Sequence, residues 1–184
     1  VTDKLERIDS KTELGRITMP GQREVYERHL ADARERGLNI HVGGHLLGDS
    51  QMSPTLISGP GTVESLVFQE ETFGPIVAAT TFADDNEAIT LHNNTGYGLT
   101  ASIFTTNQDR AHQISGKLRA GLISINGVAA TLHGHSELPW GGVGDSGYGR
   151  SHGQQGLLEM TWSQVIDESR VFGVEPKRPW WYHY

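Results

Sequence analysis

The chain contains no cysteine, which excludes disulfides, thiolate metal sites and a cysteine nucleophile within these 184 residues. It has no apolar run near the ~20 residues that span a bilayer. Mean hydropathy is −0.41, so no membrane helix is expected. Basic charge is also scarce, with 15 Lys and Arg against 22 Asp and Glu and a formal charge of −7. With no basic cluster to neutralise phosphates, nucleic acid is excluded as a partner. The 36% apolar share is low, but 23 glycines add to it and bring the total into the globular range of roughly 45–50%. Disorder and collagen are therefore out. The length suits one domain, or one domain plus a tail. The chain opens on Val1 with no signal-peptide pattern, and a processed or truncated product is expected.

Residues 1–19 are polar without a sustained period and read as an exposed lead-in. Pro20 suits a first helical turn, and Val25, Leu30 and Ala33 give an apolar face to a helix ending near Gly37. Short strands are expected at Ile40–Val42, closed by Gly43-Gly44, and at Thr55–Ile57, bounded by Pro54 and Gly59-Pro60-Gly61. Ile76–Phe82 is a continuous apolar and β-branched run, as in a strand buried on both faces. Asp84 and Glu87 form a capping-box-like start for a helix through Asn93, and Leu99–Thr105 reads as a strand. Asn107 caps a helix with Ala111, Ile114 and Leu118 on one face, stopped at Gly121, and Leu122–Asn126 is a third strand. This β-α-β-α-β order predicts an α/β fold with a parallel sheet. Residues 127–149 form a long irregular loop, and loops of that length in compact domains are usually functional. A helix over Gln154–Met160, a strand over Trp162–Ile166 and an extended Pro- and aromatic-rich arm over Val171–Tyr184 complete the prediction, with no internal repeat.

Gly142-Val143-Gly144-Asp145-Ser146-Gly147 fits G-x-G-x-x-G, with Asp167 twenty residues further on. A dinucleotide loop needs a buried strand before its first glycine, so that the pyrophosphate meets a helix N-terminus. His133–Trp140 is polar and Pro-broken, which argues against it. Gly144-Asp145-Ser146-Gly147 also imitates a trypsin-like nucleophile segment, but that enzyme class needs an all-β double barrel. Ser146 is therefore read as a turn hydroxyl. His133, His135 and His152 lack carboxylates at metal-site spacing, and His41 and His45 flank a Gly-Gly break, so no metal is expected. Gln69-Glu70-Glu71-Thr72-Phe73-Gly74-Pro75 holds two readings open. It is either a solvated turn, or a carboxylate that accepts sugar hydroxyls beside an aromatic face for a planar ligand.

Four segments occur in order. They are Glu70-Glu71-Thr72-Phe73-Gly74-Pro75, Asn94-Thr95-Gly96-Tyr97-Gly98-Leu99-Thr100-Ala101, Ala120-Gly121-Leu122-Ile123-Ser124-Ile125-Asn126, and Leu138-Pro139-Trp140-Gly141-Gly142-Val143 with Ser146-Gly147-Tyr148-Gly149-Arg150. Together they resemble the C-terminal part of NAD(P)-dependent aldehyde dehydrogenases, over about Thr12 to Glu168. The resemblance implies a three-layer, parallel-sheet catalytic-domain portion over residues 1–160, and an oligomerisation strand with its tail over 161–184. It implies a parent oxidoreductase that converts an aldehyde to a carboxylic acid with NAD or NADP. There a Cys thiolate adds to the aldehyde, hydride leaves to the nicotinamide, and water hydrolyses the thioester. The nucleophile, general-base Glu, oxyanion Asn and coenzyme-phosphate loop would lie in a missing N-terminal portion, so no catalytic residue is assigned within this chain.

By the same likeness, Glu71 hydrogen-bonds the nicotinamide ribose, and Phe73 and Leu99 border that end of the coenzyme. Trp140 stands where the family commonly has Phe and walls the substrate tunnel, while Asn126 and the loop to Glu137 shape its mouth. Arg16 departs from a Pro common in the family. The expected partners are the aldehyde, the missing N-terminal portion and other copies in a dimer or tetramer, in the cytoplasm. The alternative is a non-catalytic oligomerisation or dinucleotide-binding remnant of that fold.

Overall fold

The computed structural model describes residues 2–6, 14–48, 50–128 and 135–168. A short helix, α1 (Thr2–Glu6), precedes the long helix α2 (Gln22–Glu35). One face of α2 is buried through Tyr26, His29, Leu30 and Ala33, spaced three and four residues apart as an amphipathic stripe requires. Leu30 and Ala33 were expected on that face. Tyr26 and His29 were not, and the expected Val25 is only half-buried. A polar-tipped ring can sit inside when its polar atoms find partners. The Tyr26 hydroxyl lies 2.6 Å from Thr55 Oγ1 and 3.1 Å from the Ser53 carbonyl, which accepts from it.

Under α2 lies a three-stranded sheet of order β1-β4-β5, with β1 at Asn39–Val42, β4 at Thr55–Ser58 and β5 at Ile76–Ala79. β4 runs antiparallel to β1 and parallel to β5. Between β1 and β4 the chain makes a two-stranded ribbon, β2 (Leu46–Leu47) on β3 (Gln51–Met52). Tyr26, Leu30, Ala33, Leu38, Met52 and Ile57 form the core, with Ile17 packed against it. The lead-in is therefore more than an exposed arm. Ile17 docks on the core and donates its N–H to the Ser50 carbonyl at 2.6 Å. A short helix, α3 (Leu66–Gln69), leads into the segment before β5, and Asp32 of α2 accepts the Leu66 N–H at 2.8 Å.

Two helices follow β5, α4 (Asp85–Asn93) and α5 (Gln108–Ser115), on either side of β6 (Thr100–Ile103). Both caps form as expected. Asp84 accepts from the N–H groups of Asn86 and Glu87 at 2.8 and 3.0 Å, and Asn107 accepts from that of Arg110 at 3.0 Å. α5 stops at Ser115, short of the predicted end, because Lys117 N–H turns back to the Ile114 carbonyl at 2.9 Å. Arg110 and Asp85 pair across the two helices, with Nε 2.9 Å from Oδ2. The guanidinium holds the Asp85 carboxyl below its usual range.

β6 pairs in parallel with β7 (Leu122–Ile125) in a separate two-stranded sheet. The expected single ladder through Ile76, Leu99 and Leu122 does not form: β5 is the edge strand beside β4, and β6 and β7 pair apart from it. β5 is also not buried on both faces, since Val77 is 49% exposed, and the expected run ends early, with Phe82 beyond the strand and 53% exposed. Periodicity reports which faces are apolar and cannot name a strand's neighbour. After a final short helix, α6 (Gly153–Leu158), residues 162–168 form no strand. The expected strand Trp162–Ile166 has no pairing neighbour among the described residues, and an unpaired strand makes no ladder. The Val171–Tyr184 arm lies outside the described residues.

Candidate functional site

The chain is extended at Glu70 (φ −121°, ψ 154°) as it leaves α3. Successive side chains of an extended segment point to opposite sides. Glu70 and Thr72 both turn toward α2. The Glu70 carboxylate receives Arg28 Nη2 at 2.7 Å and lies 3.3 Å from His29 Nε2, and Thr72 Oγ1 lies 2.9 Å from His29 Nδ1. Gln22 donates its side-chain N–H to the Thr72 carbonyl. Glu71, between them, faces solvent with no hydrogen-bond partner for its carboxylate among the described residues. Phe73 then takes the left-handed conformation at φ +46° and is 77% exposed. That backbone costs a non-glycine residue on the order of 1–2 kcal/mol.

Hydrogen bonds from His29 and then Arg28 hold the Glu70 carboxyl below its usual range. A depressed folded value adds stability above the unfolded pKa and loses it as pH falls through the folded one. The unfolding midpoint is therefore expected to drop on acidification below about pH 4.3, the ordinary Glu value. Glu70→Gln should flatten that acid limb, and identical limbs for the two proteins would count against the assignment.

Residues 141–149 pack against two earlier segments, backbone upon backbone. Val143 N–H donates to the Gly98 carbonyl at 3.1 Å, and Asp145 N–H to that of Gly96 at 2.9 Å. Ser146 Oγ accepts the Gly98 N–H at 3.0 Å, so the hydroxyl expected to serve its own turn ties the loop to a distant segment. A Cβ at Gly121 would stand 1.7 Å from the Gly141 carbonyl oxygen. These glycines serve close chain-on-chain approach, and among the described residues 135–141 there is no strand leading into Gly142 as a phosphate-binding loop would need. Trp140 makes a bridge to Ser151, with N–H···O bonds of 2.7 Å in both directions.

Leu99 and Trp140 line one hollow of about 350 Å³, with Tyr148, Arg150 and Glu159. Phe73 lines a different one, with Met19, Gln22 and Met52. Leu99 thus shares a hollow with Trp140, and Phe73, expected beside Leu99, has separate neighbours. Asn126 lies in neither. At φ +55° it exchanges two hydrogen bonds of 2.9 Å with the Thr105 backbone, one accepted by Oδ1 and one donated by Nδ2. Its amide is committed to holding the chain after β6. The sequence reading missed Arg28 and His29. Placing His29 three residues after Tyr26 on the buried stripe would have flagged an imidazole in need of partners. Among the described residues no group of three or more His, Asp or Glu could hold a metal ion, and His133 lies outside them.

Glu71 and Phe73 thus stand exposed side by side, and Trp140 and Leu99 line a separate hollow of the same α/β frame. The sequence profile of the aldehyde dehydrogenase family matches residues 2–166, and the chain belongs to that family. It is 35% identical over 171 residues to a Mycobacterium ulcerans protein that bears the name NADP+ succinate-semialdehyde dehydrogenase 2, covering 91% of this chain and 33% of that one. It is 35% identical to 4,4'-diapolycopene aldehyde oxidase of a Methylomonas species, over 96% of this chain and 32% of that one. Betaine aldehyde dehydrogenase of Staphylococcus aureus, solved with NAD+, superposes with a TM-score of 0.75 at 32% identity, over 86% of this chain and 33% of that one. The chain spans about a third of the length of these relatives.

Proposed function

We propose that this chain is part of an NAD(P)+-dependent aldehyde dehydrogenase that oxidises an aldehyde to a carboxylic acid. The observation that carries the reading is the alternation at residues 70–72. Glu70 and Thr72 are tied to α2, and Glu71 is left facing solvent beside Phe73. A carboxylate accepts hydrogen bonds only, and one with no protein donor suits the two hydroxyls of a ribose. Glu71 would hold the coenzyme there, with Phe73 as an apolar face. The coenzyme, when bound, supplies the hydride acceptor. Leu99 would border the coenzyme end, Trp140 in the same hollow would wall the substrate side, and Asn126 would shape it by fixing the Thr105 backbone. The covalent chemistry needs a cysteine that this chain does not contain. A cytoplasmic location belongs to the same proposal and rests on the family likeness.

In the full-length enzyme carrying this chain, Glu71→Gln is expected to slow single-turnover hydride transfer about tenfold and to raise the coenzyme KM at least as much, since an amide accepts weaker hydrogen bonds than a carboxylate. The melting temperature should barely move, as for other exposed substitutions. Hydride transfer at the unmutated rate would overturn the reading.

Assembly into a homo-oligomer through residues 162–166 is part of the same proposal. It is supported by exposed apolar side chains there, with Trp162 96%, Val165 92% and Ile166 82% exposed. An unpaired β-prone segment of this kind invites pairing with a second chain. Sedimentation at tens of micromolar, the range of a weak association, should show self-association that Val165→Lys reduces. A monomeric wild type would refute it.

A further inference from the structure

We propose that His29 is a positioning residue for Glu71, setting from inside the fold where that carboxylate stands. The inference rests on reading Glu71 as the ribose ligand. His29 is fully buried in α2, at 0% exposure. Its two ring nitrogens engage the residues on either side of Glu71, Nε2 with the Glu70 carboxylate at 3.3 Å and Nδ1 with Thr72 Oγ1 at 2.9 Å. A carboxylate cannot donate, so Nε2 carries the hydrogen. In the neutral ring Nδ1 then accepts from the Thr72 hydroxyl. One buried imidazole thus holds positions 70 and 72 on the inner side of an extended segment.

The pleat leaves position 71 no choice but the outer side. Arg28 on Glu70 and Gln22 on the Thr72 carbonyl reinforce the grip from the same helix. Phe73 turns away immediately afterwards in the left-handed conformation, so the segment has little freedom to slide. A helix on the far side of the loop from the coenzyme therefore decides where the ribose acceptor sits. His29 itself touches neither coenzyme nor substrate.

The test is steady-state and single-turnover kinetics of the full-length enzyme with His29→Leu, His29→Gln, Glu71→Gln and the His29→Leu/Glu71→Gln pair. His29→Leu, which keeps bulk and loses both hydrogen bonds, should raise the KM for NAD(P)+ about tenfold, the equivalent of one net hydrogen bond. The aldehyde KM should stay within about twofold on the same scale. Gln retains one donor and one acceptor, so His29→Gln should recover most of the loss. In the Glu71→Gln background His29→Leu should add nothing further, because a residue acting through Glu71 has no effect once that carboxylate is gone. An undiminished effect in that background means a merely structural role and overturns the proposal. An unchanged coenzyme KM in His29→Leu overturns it too.

If His29→Leu does not fold, Thr72→Val carries the test. It is near-isosteric, removes one of the two bonds, and should raise the coenzyme KM about threefold, again only while Glu71 is present. A neutral Glu71→Gln would instead dismiss the ribose reading itself, so the two failures are distinct.

Discussion

Gly121→Ala is expected to loosen residues 141–149 from the rest of the chain. The added methyl would meet the Gly141 carbonyl oxygen at 1.7 Å and its carbon at 2.7 Å, and backbone cannot swing aside as a flexible side chain can. Overpacking typically costs 1–3 kcal/mol, and a clash with fixed backbone belongs at the top of that range, about 3 kcal/mol. The Val143 and Asp145 amides, which donate to Gly98 and Gly96, report on it directly. Their hydrogen exchange should speed by about a hundredfold for that energy. Gly116→Ala is the control. Its Cβ would lie 3.8 Å from the nearest atom, in helical backbone, so stability should move by no more than about 0.5 kcal/mol. Equal exchange in the two variants would show that the interlock of glycines does not hold the loop.

The 184-residue chain alone is expected to oxidise no aldehyde with NAD+ or NADP+. Without cysteine there is no thiolate to attack the carbonyl. Loss of a covalent nucleophile leaves at most the residual acceleration that binding alone provides, many orders of magnitude below the enzyme. Joining the chain to the preceding two thirds of a relative such as the S. aureus betaine aldehyde dehydrogenase should restore turnover. Turnover by the purified chain by itself would remove the assignment of the chemistry to another segment.

The local elements were legible because local chemistry decides them. Asp84 and Asn107 announce their helices, Gly37 ends α2 at φ +70°, and the β-branched runs mark β4 and β7. Pairing was not legible. Nothing within Ile76–Phe82 says that β5 prefers β4 to β6, because ladder partners are chosen by distant segments. The site divides in the same way. Glu71 and Phe73 stood out as residue types, and Trp140 and Leu99 as members of a motif. His29 and Arg28 did not, because their significance depends on where a loop more than forty residues later comes to lie. The glycines were conspicuous in number, yet their use came from contacts between three segments, 96–98, 119–121 and 141–144.

The division of the strands into separate ladders has a consequence for how the molecule comes apart. Among the described residues, all the buried hydrophobic side chains except Ala111 belong to the core beneath α2. The β6–β7 pair, flanked by exposed Leu99 at 39% and Phe104 at 68%, has little of that anchorage. Cooperative unfolding requires that loss of one region remove the support of another. Here the α2 core can survive while the β6–β7 unit opens. The amides of the α2 core are therefore expected to exchange more slowly than those of β6 and β7, and the Leu99–Trp140 hollow borders the faster-exchanging strands.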